Sequence, residues 1–479
     1  MSPVERRQQQ RLTFAVLTVA VGAFALLQSL IVPVLAQIQQ EYDTDQSTVT
    51  WVLTAYLLSA SIATPLLGRI GDVVGKKKIL VLALVALSVG SLAAALAPTI
   101  GWLIAARVVQ GVGGGVMPLA FGIIRDNFTA KMTSALSVLA SLTAVGFGFG
   151  IVVAGPIVEV LGYHWLFWLP MIVTAGAAVA ALAFIPESPR SPGDRLPVLP
   201  ALLLAGWLVA LLLPVSQGNQ WGWDSPRVVV LLAVAAVTLV LWAWLETRVR
   251  VPLIDMRMMR TRGVWTTNLV TLFVGVGLFS SFGFLPQLLQ TPNESGYGFG
   301  ATITESGRLL LPSAVASFLV GLTTARLMGR FGARAVILTG TLVSAASYVA
   351  IALFHDTTTH VMLGITAQGL GTGMVISTSA SVVIASVPAS QTGVASGMNA
   401  NIRTIGGSIG SAVMAGIVTA QTGPGGLPLE RGYTIGFLVL GACLLLAAAA
   451  GIGVPDVHRT EPRTRRAARR GGVPAVARA

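Results

Sequence analysis

The sequence predicts an all-α polytopic membrane protein of fourteen transmembrane helices, arranged as two six-helix bundles with two further helices inserted between them. Three observations carry that expectation. Apolar runs of the roughly twenty residues needed to cross a bilayer recur from end to end with short polar breaks between them. The breaks alternate between base-rich and base-poor, as loops on opposite sides of a membrane do. A stretch beginning at Gly68 also returns, without gaps, from Ala325.

Composition agrees. Of 479 residues 54% are hydrophobic and 10% charged, and the mean hydropathy is +0.79, outside the usage of soluble domains. The net charge of +13 would suggest nucleic acid in a soluble chain. Here the bases occupy breaks between apolar runs, so they report orientation and no nucleic-acid partner is expected. The single cysteine, Cys443, lies in an apolar run, which leaves no disulfide within one chain and no thiolate cluster. No Walker loop or nucleophile constellation is visible, so ATP-driven pumping and membrane enzymology have no support. Neither a cofactor nor a metal is expected.

The first apolar run starts near Leu12, behind Arg6, Arg7 and Arg11, and passes Leu30. It is too long for the core of a cleaved signal and reads as the first spanning helix, near 13 to 36. Five more follow near 49–67, 79–97, 102–122, 134–160 and 165–185, closing a first bundle over residues 1–190. Helices near 198–214 and 227–245 form the insertion, 191–250. The second bundle, 251–456, holds helices near 264–289, 306–327, 334–354, 360–384, 396–419 and 433–453. Residues 457–479 form a basic tail that reads as solvated and topogenic, with anionic lipid headgroups as the alternative partner.

One set of loops carries Lys76 to Lys78, Arg125, Lys131, Arg190, Arg195, Arg248, Arg250, Arg257, Arg260, Arg262, Arg330 and Arg334. The other carries Glu41, Asp43, Asp45, Asp224, Glu294 and Asp356. The positive-inside rule puts the first set and both termini in the cytoplasm.

The repeat aligns "GRIGDVVGKKKIL" with "ARLMGRFGARAVIL", matching Arg69 to Arg326 and Gly75 to Gly332, while "QGVGGGVM" from Gln110 matches "QGLGTGMV" from Gln368. Six helices per half is an even number, so the halves share one orientation about an axis along the membrane normal. The second copy has Gly329 for Asp72 and Ala333 for Lys76, so the charge chemistry is expected in one half only.

That chemistry can be argued from residue types. Gly75 lets the chain turn tightly between helices 2 and 3. Asp72 can neutralise the positive N-terminal end of a facing helix, and Lys76, followed by Lys77, can pair with an acid such as Asp126 at the end of helix 4. Such a cluster would lock one face and break when the halves rock. Purely topogenic charge is the alternative, and the acid argues against it, because acids contribute little to orientation. In helix 5, Gly146, Gly150, Gly155 and Pro156 suit close helix approach and a bend, with ordinary packing as the alternative.

Arg107 and Arg403 are lone bases deep in apolar runs, where a charge costs about 2.5 to 3.5 kcal/mol, so each is expected to face the bundle interior. Glu159 is the acid expected within a span of the first half away from the cytoplasmic end, and it is the candidate proton carrier. Counting rise along helices 4 and 5 places it within about 5 Å of the depth of Arg107. The two side chains lean toward each other and are expected to pair. The alternative is Glu159 in outside water with Arg107 held by backbone carbonyls. Trp51, Tyr56, Phe147 and Phe149 are candidates to line a substrate cavity, with lipid-facing or core packing as the alternative.

The loop at Gly68, Asp72, Gly75, Lys76 and Lys77 resembles the signature of the major facilitator superfamily, and the fourteen-helix count resembles its drug:proton antiporter branch. "RVVQGVGGG" from Arg107, "GFGFGIVVAGP" ending at Pro156, "WLFWLP" and "SGMNANIRTIGGSIG", which contains Arg403, are similar to that branch's pattern and stand in its order. The resemblance covers nearly the whole chain. It implies the major facilitator fold in a bacterial plasma membrane, and a secondary transporter exporting amphipathic drug-like compounds against protons by alternating access. It also implies that helix 5 seals the outer half. The expected partners are a small molecule, protons and the bilayer, with the chain a monomer. An importer, a lipid transporter, or a sensor or scaffold on the same fold are the alternatives. Two departures stand out. Gln28 in "LLQSLIVP" occupies a place where the branch usually has aspartate, and Glu159 and Val160 replace paired glycines.

Overall fold

The structure is a computed structural model that describes residues 3–44, 46–128, 132–188, 197–249, 252–420 and 427–456. Asp45, Lys131, Arg190, Arg195, Arg250, the side chain of Phe147 and the basic tail from residue 457 lie outside the described residues. Within them the only extended regular structure is helix, as lipid demands of a backbone that must satisfy its own polar groups.

Numbering only the spanning helices, the first half comprises α1 (Pro3–Ser29), α2 (Gln46–Val74), α3 (Lys76–Ala95), α4 (Ile100–Asn127), α5 (Met132–Leu161) and α6 (Trp165–Phe184). The inserted hairpin is α7 (Val198–Trp221) and α8 (Pro226–Arg248). The second half comprises α9 (Arg262–Gln290), α10 (Ile303–Phe331), α11 (Ala333–Leu353), α12 (Thr358–Ala385), α13 (Thr392–Thr419) and α14 (Glu430–Gly451). Thirteen of these are each long and apolar enough to span a membrane, and α5, bent by 41° between Thr143 and Gly148, makes the fourteenth.

Two helices run well past the ends the apolar pattern predicts. α2 continues to Val74 and α10 to Phe331, through residues whose charge marks the edge of the hydrocarbon. What stops them is backbone geometry. Gly75 and Gly332, the glycines matched by the repeat, have φ of 122° and 89°, a region closed to residues with a Cβ. The bend in α5 also falls away from Pro156, at the Gly146 end of the motif. In α4 the "VGGG" run, Val112–Gly115, tightens into a 3-10 turn. A methyl on Gly114 would lie 2.7 Å from the Ala60 carbonyl oxygen of α2, so the bare backbone is what lets α4 press against its neighbour.

Within the first half α1 packs on α5 and α6, α3 on α6, and α2 on α4; within the second, α9 packs on α13 and α14, α10 on α12, and α11 on α12 and α14. The halves meet along two seams, α5 against α10 and α2 against α13. α7 touches both α2 and α13, whereas α8 packs on α7. Glu246, a buried acid near the end of α8, accepts the Ile254 N–H at 3.3 Å and so ties the hairpin to the connector into α9.

Candidate functional site

At the base-rich end, the sharp turn at Gly75 sets Lys76 one helical turn beyond Asp72. The Lys76 ammonium lies 3.6 Å from an Asp72 carboxylate oxygen and 2.8 Å from Asp126 at the end of α4. Asp72 is 3% exposed and Lys76 4%. A methyl on Gly122 would strike the Lys76 stem at 2.6 Å, so that glycine makes the channel through which the lysine reaches Asp126. Lys77 is half-buried beside the cluster and makes no ion pair within it.

The cluster also contacts the other half. The backbones of α2 and α13 cross at Gly68 and Gly393, where a methyl on Gly68 would sit 2.6 Å from the Gly393 carbonyl oxygen. Asp72 borders the first turn of α13, since a methyl on Gly393 would lie 3.0 Å from its carboxylate. Arg125, next to Asp126, donates to the carbonyls of Ile384 at 2.8 Å and Val387 at 2.7 Å, and to the Thr392 hydroxyl at 2.6 Å. An acid therefore faces the positive start of α13 and a base the negative end of α12, each complementing a helix dipole across the seam.

The second copy of the loop has an acid beside it as well, though it accepts from backbone within its own half. Asp456, beyond α14, accepts the Arg334 N–H at 3.1 Å, and the Arg334 guanidinium donates to the Val454 carbonyl at 2.9 Å. The acid missing at Gly329 arrives from a distant part of the chain, which aligning the two loops cannot reveal.

Arg107 and Glu159 are not brought together. Arg107 is fully buried, donates to the Val52 carbonyl at 3.0 Å and to Gln110 at 2.7 Å, and lies 4.2 Å above the Tyr56 ring. It pins α4 to α2 inside the first half. Glu159 is exposed and accepts from the Thr304 hydroxyl of α10 at 2.8 Å, a contact between halves at the opposite end. Rise along a helix fixes depth but not which face meets which neighbour, and here the faces differ.

Along α5 a methyl on Gly146 would meet Ala25 of α1 at 2.6 Å, and one on Gly150 the Leu26 carbonyl at 2.9 Å. Gly155 turns the other way, toward the Thr304 hydroxyl at 2.5 Å. The glycines thus serve both α1 and the seam with α10. Pro156 and Phe149 line an apolar outer groove between α1, α5 and α6.

Between the halves lies a narrow central cavity of about 50 Å³. Gln28 and Arg403 line it together with Phe24, Ser61, Met117 and Phe279. Trp51, Tyr56 and Phe149 do not: Tyr56 is buried beneath Arg107, and Phe149 is on the outer groove.

Two groups of six helices meeting around a central cavity, with a bonded charge cluster between them at one end, are the architecture of a membrane carrier. Residues 17–300 and 267–478 match the family model of the Major Facilitator Superfamily, and the chain belongs to that family. It is 26% identical to the multidrug transporter protein MdtP of Bacillus subtilis, over 79% of this chain and 70% of that one. It is 28% identical to the multidrug resistance protein Stp of Mycobacterium tuberculosis, over 83% and 74%. With the tetracenomycin C resistance and export protein of Streptomyces glaucescens it shares 26% over 85% and 76%. The human organic anion transporter MFSD10 (TETRAN) has the same fold, with a TM-score of 0.64 at 16% identity, covering 94% of this chain and all of that one. The family and these relatives are transporters, not enzymes.

Proposed function

We propose that this protein exports amphipathic drug-like or toxic small molecules in exchange for protons, by alternating access of a central site to the two sides of a bacterial plasma membrane. Both termini are cytoplasmic in this reading, so the base-rich end is the cytoplasmic one. The observation that carries it is the lock at that end. Asp72 and Arg125 hold the ends of two helices of the other half, around a crossing with no side chain between the backbones. The lock is made of hydrogen bonds, an ion pair and apolar packing of Val387 and Val394 rather than covalent links, so a rigid-body rocking of the halves breaks it as a unit, and its loss must be offset by contacts at the opposite end. Glu159 with Thr304 ties the halves at that opposite end while the lock is also closed, and protonating Glu159 would replace a charged acceptor by a neutral, weaker one. Arg107 keeps the first half rigid during that motion.

The test is substrate-dependent pH change in everted membrane vesicles. Alkalinisation of the lumen when a substrate is added is expected for antiport, whereas acidification would indicate symport. No proton movement with any transported compound would remove the coupling.

A further inference from the structure

The central cavity has only one sign of charge. Arg403 of α13 is, among the described residues, the sole ionisable one lining it, and the sole one lining a smaller cavity adjoining it toward the base-rich end. The guanidinium's hydrogen-bond partner among the described residues is the Met117 sulfur, 3.8 Å from Nη2, and a thioether is a weak acceptor. Among the described residues no carboxylate lies within ion-pair distance of Arg403. A guanidinium cannot shed its proton to relieve the cost of burial, as a lysine can. The other polar groups of the cavity are neutral. Gln28 presents an amide, and the Ser61 hydroxyl is buried with no hydrogen-bond partner. Phe24, Leu57 and Phe279 supply apolar walls.

We propose that the cavity binds amphiphiles that carry an anionic head, a carboxylate, sulfonate or acidic phenol, on an apolar ring body, with Arg403 as the counter-ion. The assignment names the substrate class of the transport cycle proposed above and rests on that reading. The planar guanidinium can take a carboxylate or sulfonate through two parallel N–H donors, and the buried Ser61 hydroxyl is a further donor in reach of the same space. A cationic amphiphile would meet repulsion from Arg403 with no acid to offset it. The geometry also links occupancy to motion. Met117 belongs to α4 and Arg403 to α13, so an anion that draws the guanidinium into the cavity releases a contact between the halves. A ligand shifts an equilibrium only through such differential contacts.

Fluorescein and rhodamine 123 share a xanthene body and differ in charge, so anisotropy titrations of the purified protein with each probe separate charge from shape. Fluorescein is expected to bind at least about tenfold more tightly. Arg403→Gln should weaken fluorescein by about tenfold or more and leave rhodamine 123 unchanged or tighter, while Arg403→Lys retains most of the fluorescein affinity. Equal loss of both probes in Arg403→Gln, at an unchanged melting temperature, would mean that Arg403 shapes the site without choosing the charge, and would overturn the proposal. So would a preference of the wild type for rhodamine 123. Competition on the wild type covers the case in which the variant does not fold: 2-naphthoate should displace fluorescein and 2-naphthamide should not, and equal displacement overturns the proposal. Proteoliposome transport of the same probes is scored separately. Fluorescein bound but not moved would remove the transport reading and leave the anion site, and rhodamine 123 moved with no fluorescein bound would do the reverse.

Discussion

Gly68→Ala tests the lock with one carbon atom. The new methyl would sit 2.6 Å from the Gly393 carbonyl oxygen, 2.8 Å from its carbon and 3.3 Å from the Val394 nitrogen, all backbone atoms of the other half. A carbon and an oxygen rest at about 3.4 Å, so α2 and α13 must part by about 0.8 Å. No rotamer can relieve the clash. Overpacking of this kind costs about 1 to 3 kcal/mol. Because the cost exists only while this end is closed, it shifts the balance of access states by about 5- to 150-fold toward the open one. The repeat adds a natural comparison, since the matching position in the second copy is already Ala325. Spin labels on cysteines replacing Lys78 and Arg330, both exposed and in opposite halves, would report the change as a longer distance population, with Cys443→Ser as background. Gly329→Ala is the control, having open space around it. An unchanged distance distribution with undiminished transport in Gly68→Ala would falsify the claim that this crossing limits closure.

Asp72→Asn should lower the initial efflux rate severalfold with near-normal membrane expression, because it removes the anion facing the start of α13; a wild-type rate would return this loop to a purely topogenic role. Asp126→Asn breaks an ion pair inside the first half only and should cost less in the same assay. At the opposite end, Glu159→Gln and Thr304→Val should each raise labelling of outer-seam cysteines by about two- to fivefold, with the double variant no worse than either single. Fully additive effects there would dissolve the pair. A cysteine at exposed Asn293 should react with an impermeant reagent from outside intact cells, and reaction only from the cytoplasm would invert the topology.

Much of this was legible in the sequence because lipid makes the rules strict. Apolar length located every spanning helix, and the repeat matched Gly75 to Gly332, which share an uncommon backbone geometry. Residue types placed Asp72, Lys76 and Asp126 at one end of the bundle. Four things were not legible. Helix depth gave no azimuth, so Arg107 was paired with Glu159 when its acceptors are Val52 and Gln110. Arg125 reads as one more topogenic base until α12 is seen to end against it. Asp456 serves the second loop from more than a hundred residues away, beyond what local alignment can connect. Among the aromatic candidates, composition could not separate Tyr56, packed under a guanidinium, from Phe149, turned to the outer groove.

The inserted hairpin breaks the equivalence of the two seams. α7 stands between α2 and α13 toward the end away from the base-rich loops, with Thr54 bonded to Ser216 at 2.8 Å and Asn219 to the Ala412 carbonyl at 3.3 Å, so it grips both halves at once. One seam between the halves is thereby bridged by a strut, and among the described residues the α5–α10 seam carries no such extra helix. A lipid-dissolved compound would then meet a one-doored chamber, with its direction of approach set by a helix pair that has no counterpart in either repeat.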